Sequence, residues 1–122
     1  MAKKILIVED EKALATVLSL KLRGAGFETE IVYNGDDALE KIQKGAFDLA
    51  LIDIMMPKRD GFSVLETLQK ENNSTAIFAM SNLGQDEDIA HVKKFGVKDY
   101  IIKAESSPTE ILDKVTAFLN AK

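Results

Sequence analysis

A carboxylate at the end of an unbroken apolar run is the feature that most constrains this chain. In Phe47-Asp48-Leu49-Ala50-Leu51-Ile52-Asp53-Ile54-Met55-Met56-Pro57, the residues Ala50, Leu51 and Ile52 show no polar alternation, which suits a strand buried on both faces of a parallel sheet. An unpaired carboxylate inside such a run is costly, so Asp53 belongs at the strand's C-terminal end, facing a crevice. Pro57 cannot continue the strand and Asp60-Gly61 signals a turn, so the chain leaves the sheet just after Asp53.

The rest of the chain frames that strand. Lys4-Ile5-Leu6-Ile7-Val8 is a second buried strand and ends in Glu9-Asp10-Glu11. Leu14, Val17, Leu18 and Leu22 recur at helical spacing toward a stop at Gly24. Glu28 to Tyr33 alternates partly and is more polar, as an edge strand would be, until Asn34-Gly35 breaks it. Asp36 or Asp37 is the expected cap of a helix carrying Ala38, Leu39 and Ile42 and stopping at Gly45. A third helix after Gly61 places Phe62, Leu65 and Leu68 on one side, and Asn72-Asn73-Ser74 ends it. Ala76 to Met80 is a further apolar run, closing on Ser81-Asn82. A short helix from about Asp86 to Phe95 stops at Gly96, and Tyr100-Ile101-Ile102 is the last strand, ending at Lys103. Ser107-Pro108-Thr109-Glu110 joins a capping box to a proline at the first helical position, ahead of a helix burying Ile111, Leu112, Val115, Phe118 and Leu119.

Strands alternating with helices, without a linker or repeat, predict an α/β fold: a flavodoxin-like, doubly wound, five-stranded parallel sheet of order 2-1-3-4-5 with five helices. The 122 residues are expected to form one domain over 1–122, with no output domain. No apolar run is long enough to span a bilayer, and no signal peptide is visible. The absence of cysteine removes disulfides and thiolate metal sites and fits a cytoplasmic protein. A formal net charge of -4, with basic residues scattered among acids, gives no footprint for nucleic acid.

In this topology the C-terminal ends of the central strands share one rim, so Glu9, Asp10, Asp53, Ser81 and Lys103 converge there. Crowded carboxylates repel, and the simplest relief is a hard divalent cation held through oxygens, Mg2+ above others. Asp10 and Asp53 are the candidate direct ligands, Glu9 the holder of a metal-bound water, and the Met55 backbone carbonyl a further ligand. The surrounding groups suit a phosphoryl group, because Lys103 adds a positive point charge and the Ser81 hydroxyl a hydrogen bond. Asp53, with no base beside it, is a reasonable in-line nucleophile giving an aspartyl phosphate.

Over essentially its whole length the chain resembles a receiver domain of two-component response regulators. The resemblance rests on Ile-Leu-Ile-Val-Glu9-Asp10-Glu11, on Asp53-Ile-Met-Met56-Pro57-Lys-Arg-Asp60-Gly61, on Ser81 and on Tyr100-Ile-Ile-Lys103. It implies that a histidine kinase or phosphotransfer protein donates a phosphoryl group to Asp53, with Mg2+ held by Asp10 and Asp53. Ser81 and Lys103 would close on the phosphoryl oxygens, and Tyr100 would turn inward behind Ser81. The surface of the fourth helix, fifth strand and fifth helix would then change for a downstream protein target. The family acts as a phosphoacceptor, with at most self-phosphorylation and self-dephosphorylation. No membrane or direct nucleic-acid partner is implied, and a monomer or weak phosphorylation-dependent dimer is expected, since the last helix lacks the arginine of receivers that pair through salt bridges there.

Departures from the family pattern carry expectations of their own. The acidic pair is Glu9-Asp10 where two aspartates are common, and Ser81 stands where threonine is commoner. Ala104 follows Lys103 where the family usually has a proline joined by a cis bond; cis before alanine costs about 2.5 to 4 kcal/mol. A trans bond with an altered loop is therefore expected over a strained cis bond. Met55 and Leu83 should flank the phosphoryl group in the family's geometry, and neither can orient an attacking water, so self-dephosphorylation is expected to be slow. His91 has no partner at ligand spacing and reads as an exposed bystander. Rival readings are weaker. An aspartyl-phosphate phosphatase would carry a second Asp where Met55 stands, and a flavin carrier would need a phosphate loop where Glu9-Asp10-Glu11 stands. A receiver-shaped binding module working without phosphorylation has no use for the acidic pair, Asp53 and Lys103 together.

Overall fold

Alternating apolar periods become alternating elements. In chain order these are β1 (Lys4–Val8), α1 (Lys12–Gly24), β2 (Glu28–Val32), α2 (Gly35–Gln43), β3 (Leu49–Asp53), α3 (Gly61–Lys70), β4 (Ala76–Ser81), α4 (Asp86–Lys93), β5 (Asp99–Ile102), a 3-10 turn (Lys103–Glu105) and α5 (Pro108–Leu119). The computed structural model describes residues 2–45, 47–55, 60–82 and 86–120, with the backbone alone at 86–88. All strand pairs are parallel and the order is β2-β1-β3-β4-β5, as the sequence predicts. No described helix is long and apolar enough to cross a membrane.

The apolar runs are explained by burial on both faces of the sheet. Strand side chains alternate between faces, so β1 sends Ile5 and Ile7 to one core and Leu6 and Val8 to the other. In β3, Leu49 and Leu51 part in the same way from Ala50 and Ile52. One core is closed by Leu18 and Leu22 of α1 with Ile111, Val115 and Leu119 of α5. The other is closed by Ala38 and Ile42 of α2, Val64, Leu65 and Leu68 of α3, and Val92 of α4. The partly polar Glu28–Val32 lies at one margin of the sheet, where Glu28 is exposed.

Two local readings need correction. The cap of α2 is Asn34, not Asp36 or Asp37: its side chain accepts from Asp37 N at 2.9 Å. The helix begins at Gly35, so the side chain within reach of the third helical N–H is that of Asn34. Val17 is 39% exposed, because the buried stripe of α1 runs through Ala15, Leu18, Ser19 and Leu22. Buried Ser19 is tolerated because its hydroxyl meets the Thr29 hydroxyl at 2.7 Å, and Arg23 Nε donates to Thr29 at 3.0 Å. The predicted capping box of α5 is present, Ser107 Oγ accepting from Glu110 N and Glu110 Oε1 from Ser107 N. No described peptide bond is cis, so Lys103-Ala104 is trans, and the chain turns there through the short 3-10 segment.

Gly61 ties the helical side of the site to the sheet. Its N–H donates to Ile54 O at 2.8 Å, and Ile54 N in turn donates to Met80 O at 2.9 Å. A Cβ at Gly61 would lie 2.5 Å from Ile54 Cα and 3.0 Å from Asp53 O. Those neighbours are backbone at and just after the end of β3, tied to β4 by the Ile54 bond to Met80, and cannot move aside cheaply. Gly61→Ala is expected to destabilise the fold by about 2 kcal/mol or more despite alanine's better helix propensity. A urea midpoint equal to or above that of the parent would contradict this packing.

Candidate functional site

Register builds the site. Val8 pairs with Ile52, Asp53 with Met80, and Ser81 with Ile102. Glu9 follows Val8 and Lys103 follows Ile102, so Glu9, Asp53, Ser81 and Lys103 leave the sheet along one rim. The strand ends thus unite residues from opposite ends of the chain.

Lys103 is the hub of this rim. Its Nζ lies 2.8 Å from Glu11 Oε1, 2.9 Å from Glu9 Oε1 and 3.0 Å from Asp53 Oδ2. It donates directed hydrogen bonds to Glu11 and Asp53. The contact with Glu9 is one of charge, since no described donor completes a hydrogen bond to the buried Oε1. Asp53 Oδ1 accepts from Met55 N at 3.0 Å, and Glu9 Oε2 accepts from Glu11 N at 3.0 Å. Both oxygens of the 2% exposed Asp53 are therefore held, one by backbone and one by the ammonium.

The electrostatics show an excess of negative charge. Burial works against the charge of Lys103, yet its contacts with Glu11, Glu9 and Asp53 outweigh it and hold its pKa above the ordinary value. For the fully buried Glu9 the balance is reversed. Burial pushes its carboxyl from 4.5 up to about 7, against the pull of the Glu11 N–H and Lys103, and the nearby Asp53 adds to the rise. Among the described residues, one ammonium faces the carboxylates of Glu9, Glu11 and Asp53.

That excess has an oxygen-rich outlet. Glu9, Asp10 and Asp53 each offer a carboxylate oxygen, and these lie within 4.8 Å of one another. Asp10 is exposed while the other two are buried. An all-oxygen set with one buried oxygen lacking a hydrogen-bond donor fits a hard divalent cation.

The remaining candidates fall as follows. Ser81 is fully buried at the end of β4. Alternation puts it on the same face as Ile77 and Ala79, the face on which half-buried Tyr100 packs. Met55 is 58% exposed at the rim. Met56, Pro57 and Leu83 lie outside the described residues. His91 is exposed, but its ring stacks on Phe62 at 4.8 Å and leans on Phe95 at 5.6 Å, so it also joins α3 to α4. Glu11 is the site residue that sequence reasoning missed as a partner of Lys103. It stands in the acidic run Glu9-Asp10-Glu11, but nothing in that run points to a lysine 92 positions away.

Comparison with known proteins bears on the family and the fold. Residues 5–116 match the sequence model of the response regulator receiver domain. The transcriptional regulatory protein DltR of Streptococcus agalactiae serotype III (strain NEM316) is 38% identical over 100 residues, which is 82% of this chain and 45% of DltR. The chain thus spans under half the length of that relative. Among solved structures, the receiver domain of the Francisella response regulator 1452 superposes with a TM-score of 0.90 at 31% identity, over 98% of this chain and 99% of that one. The phosphorylated cyanobacterial phytochrome response regulator RcpA gives 0.88 at 25% identity, over 100% and 97% of the two chains. The chain belongs to the response regulator receiver domain family.

Proposed function

We propose that the chain is the phospho-accepting switch of a two-component phosphorelay, with Asp53 as acceptor and a histidine kinase or phosphotransfer protein as donor. The carrying observation is a buried carboxylate fixed by Met55 N–H on one oxygen and by Lys103 on the other, next to an acidic pocket. A carboxylate nucleophile needs no general base to activate it. In the transfer, an Asp53 oxygen bonds to phosphorus as the phosphorus–nitrogen bond of a phosphohistidine breaks, and the electron pair stays on the imidazole nitrogen. Lys103 follows the charge from Asp53 Oδ2 onto the phosphoryl oxygens, and the Ser81 hydroxyl donates to them. Glu9, Asp10, Asp53 and the Met55 carbonyl would hold Mg2+, which when bound neutralises charge on those oxygens.

Ser81 and Tyr100, on one face of neighbouring strands, would carry the change to the surface of α4, β5 and α5, where a downstream protein binds. Incubation with acetyl phosphate and Mg2+ is expected to add one phosphoryl group to the intact mass, and a chelator to prevent it. If neither that adduct nor a beryllofluoride complex forms, the receiver-shaped binding module working without phosphorylation takes its place. The lifetime of the adduct tests a finer point. Met55 presents an apolar, exposed side chain at the rim and cannot align water, so hydrolysis should be slow. Met55→Asn is expected to shorten the half-life about tenfold by offering an amide that positions water. An unchanged half-life would remove Met55 from control of the decay.

A further inference from the structure

Glu11 occupies the N-cap position of α1, yet its side chain makes no capping hydrogen bond. The shorter Asp, Asn, Ser and Thr side chains are the ones that ordinarily accept from the first-turn N–H groups, so the longer Glu11 is free to reach elsewhere. Instead the carboxylate reaches Lys103 at 2.8 Å, across 92 positions of sequence. An ammonium has three donors, and carboxylates surround this one on three sides: Glu9, Asp53 and Glu11. Two of those donors are engaged, by Glu11 and Asp53, and the third faces Glu9 through charge alone. A phosphoryl group arriving on Asp53 therefore competes with the Glu11 carboxylate for the Lys103 ammonium.

The partners differ in how readily they can be released. Glu9 is buried and would be left without compensation, and Asp53 keeps the lysine through the phosphoryl oxygens it then carries, whereas the Glu11 side chain is 63% exposed and water can replace the lysine. We propose that Glu11 is a positioning residue that parks Lys103 in the resting site and is displaced from it as Asp53 accepts a phosphoryl group. Glu11 thereby slows entry into the phosphorylated state and sets how far the resting protein resists small-molecule donors. The inference rests on the phosphoacceptor reading above.

Two variants test it. Glu11→Gln removes the charge at constant size, while Glu11→Asp keeps the charge and withdraws it from reach of Lys103. Both are expected to take phosphoryl groups from acetyl phosphate about two- to fivefold faster than the parent, the range given by an exposed ion pair. Both should bind beryllofluoride, in Mg2+ buffer, more tightly by the same factor, with a thermal midpoint lowered by no more than about 5 °C, the loss of one exposed ion pair. A parental rate and affinity in Glu11→Asp, with only Glu11→Gln altered, would mean that distant charge and not the contact matters, and would overturn the proposal. Parental or slower behaviour in both variants would overturn it as well. A parent that forms neither adduct nor beryllofluoride complex overturns the phosphoacceptor reading, and this inference with it.

Discussion

Asp53→Asn is expected to end phosphoryl uptake from acetyl phosphate, lowering the rate by at least roughly a thousandfold. The substitution is nearly isosteric, so the amide oxygen can still accept from Met55 N or from Lys103, the two donors that hold Asp53 now. What disappears is the anionic nucleophile, because a neutral amide attacks phosphorus poorly. Lys103 keeps Glu9 and Glu11 as partners, so the variant should fold and melt cooperatively. Intact mass spectrometry with peptide mapping gives the outcome directly. An adduct that persists in Asp53→Asn, or maps to Asp10 in the parent, would move the nucleophile away from the end of β3 and dissolve the proposed mechanism.

Much of this was legible in the chain because burial leaves a strong imprint on sequence. Runs such as Ile5 to Val8 and Leu49 to Ile52 are apolar throughout since both faces of a central strand are covered. The polar residue ending each run then marked the rim, and the parallel order placed those ends together. Residues whose roles depend on a particular partner were harder to read. Val17 fits a helical period as well as Leu18 does, but only packing decides which stripe faces the core. Asn34 and Asp36 are both good caps, and the first helical residue decided between them. Glu11 shows the same limit at the site. A glutamate before a helix has a sufficient local explanation in the helix dipole, and nothing nearby in sequence announces a lysine 92 positions away.

The largest stability effect is expected from Lys103→Met, which keeps the apolar stem and removes the ammonium. The Lys103 side chain is 9% exposed and stands between the buried carboxylates of Glu9 and Asp53. Removing one partner of a buried ionic cluster leaves the others uncompensated, at a cost of about 3 to 5 kcal/mol. The cost should depend on pH, and its sign follows from Glu9. The folded protein holds the Glu9 proton more tightly than the unfolded chain, its carboxyl being raised from 4.5 to about 7. Stability from this group is therefore full below 4.5 and is lost as pH climbs through 7. Without the ammonium, protonation becomes still more favourable to the folded state, so the penalty of Lys103→Met should be small near pH 5 and largest near pH 8. Urea denaturation of both proteins in metal-free buffer across that range measures the gap. A gap that is constant with pH would assign the loss to packing of the lysine stem, and no gap at all would show that the cluster is stabilised without the Lys103 ammonium.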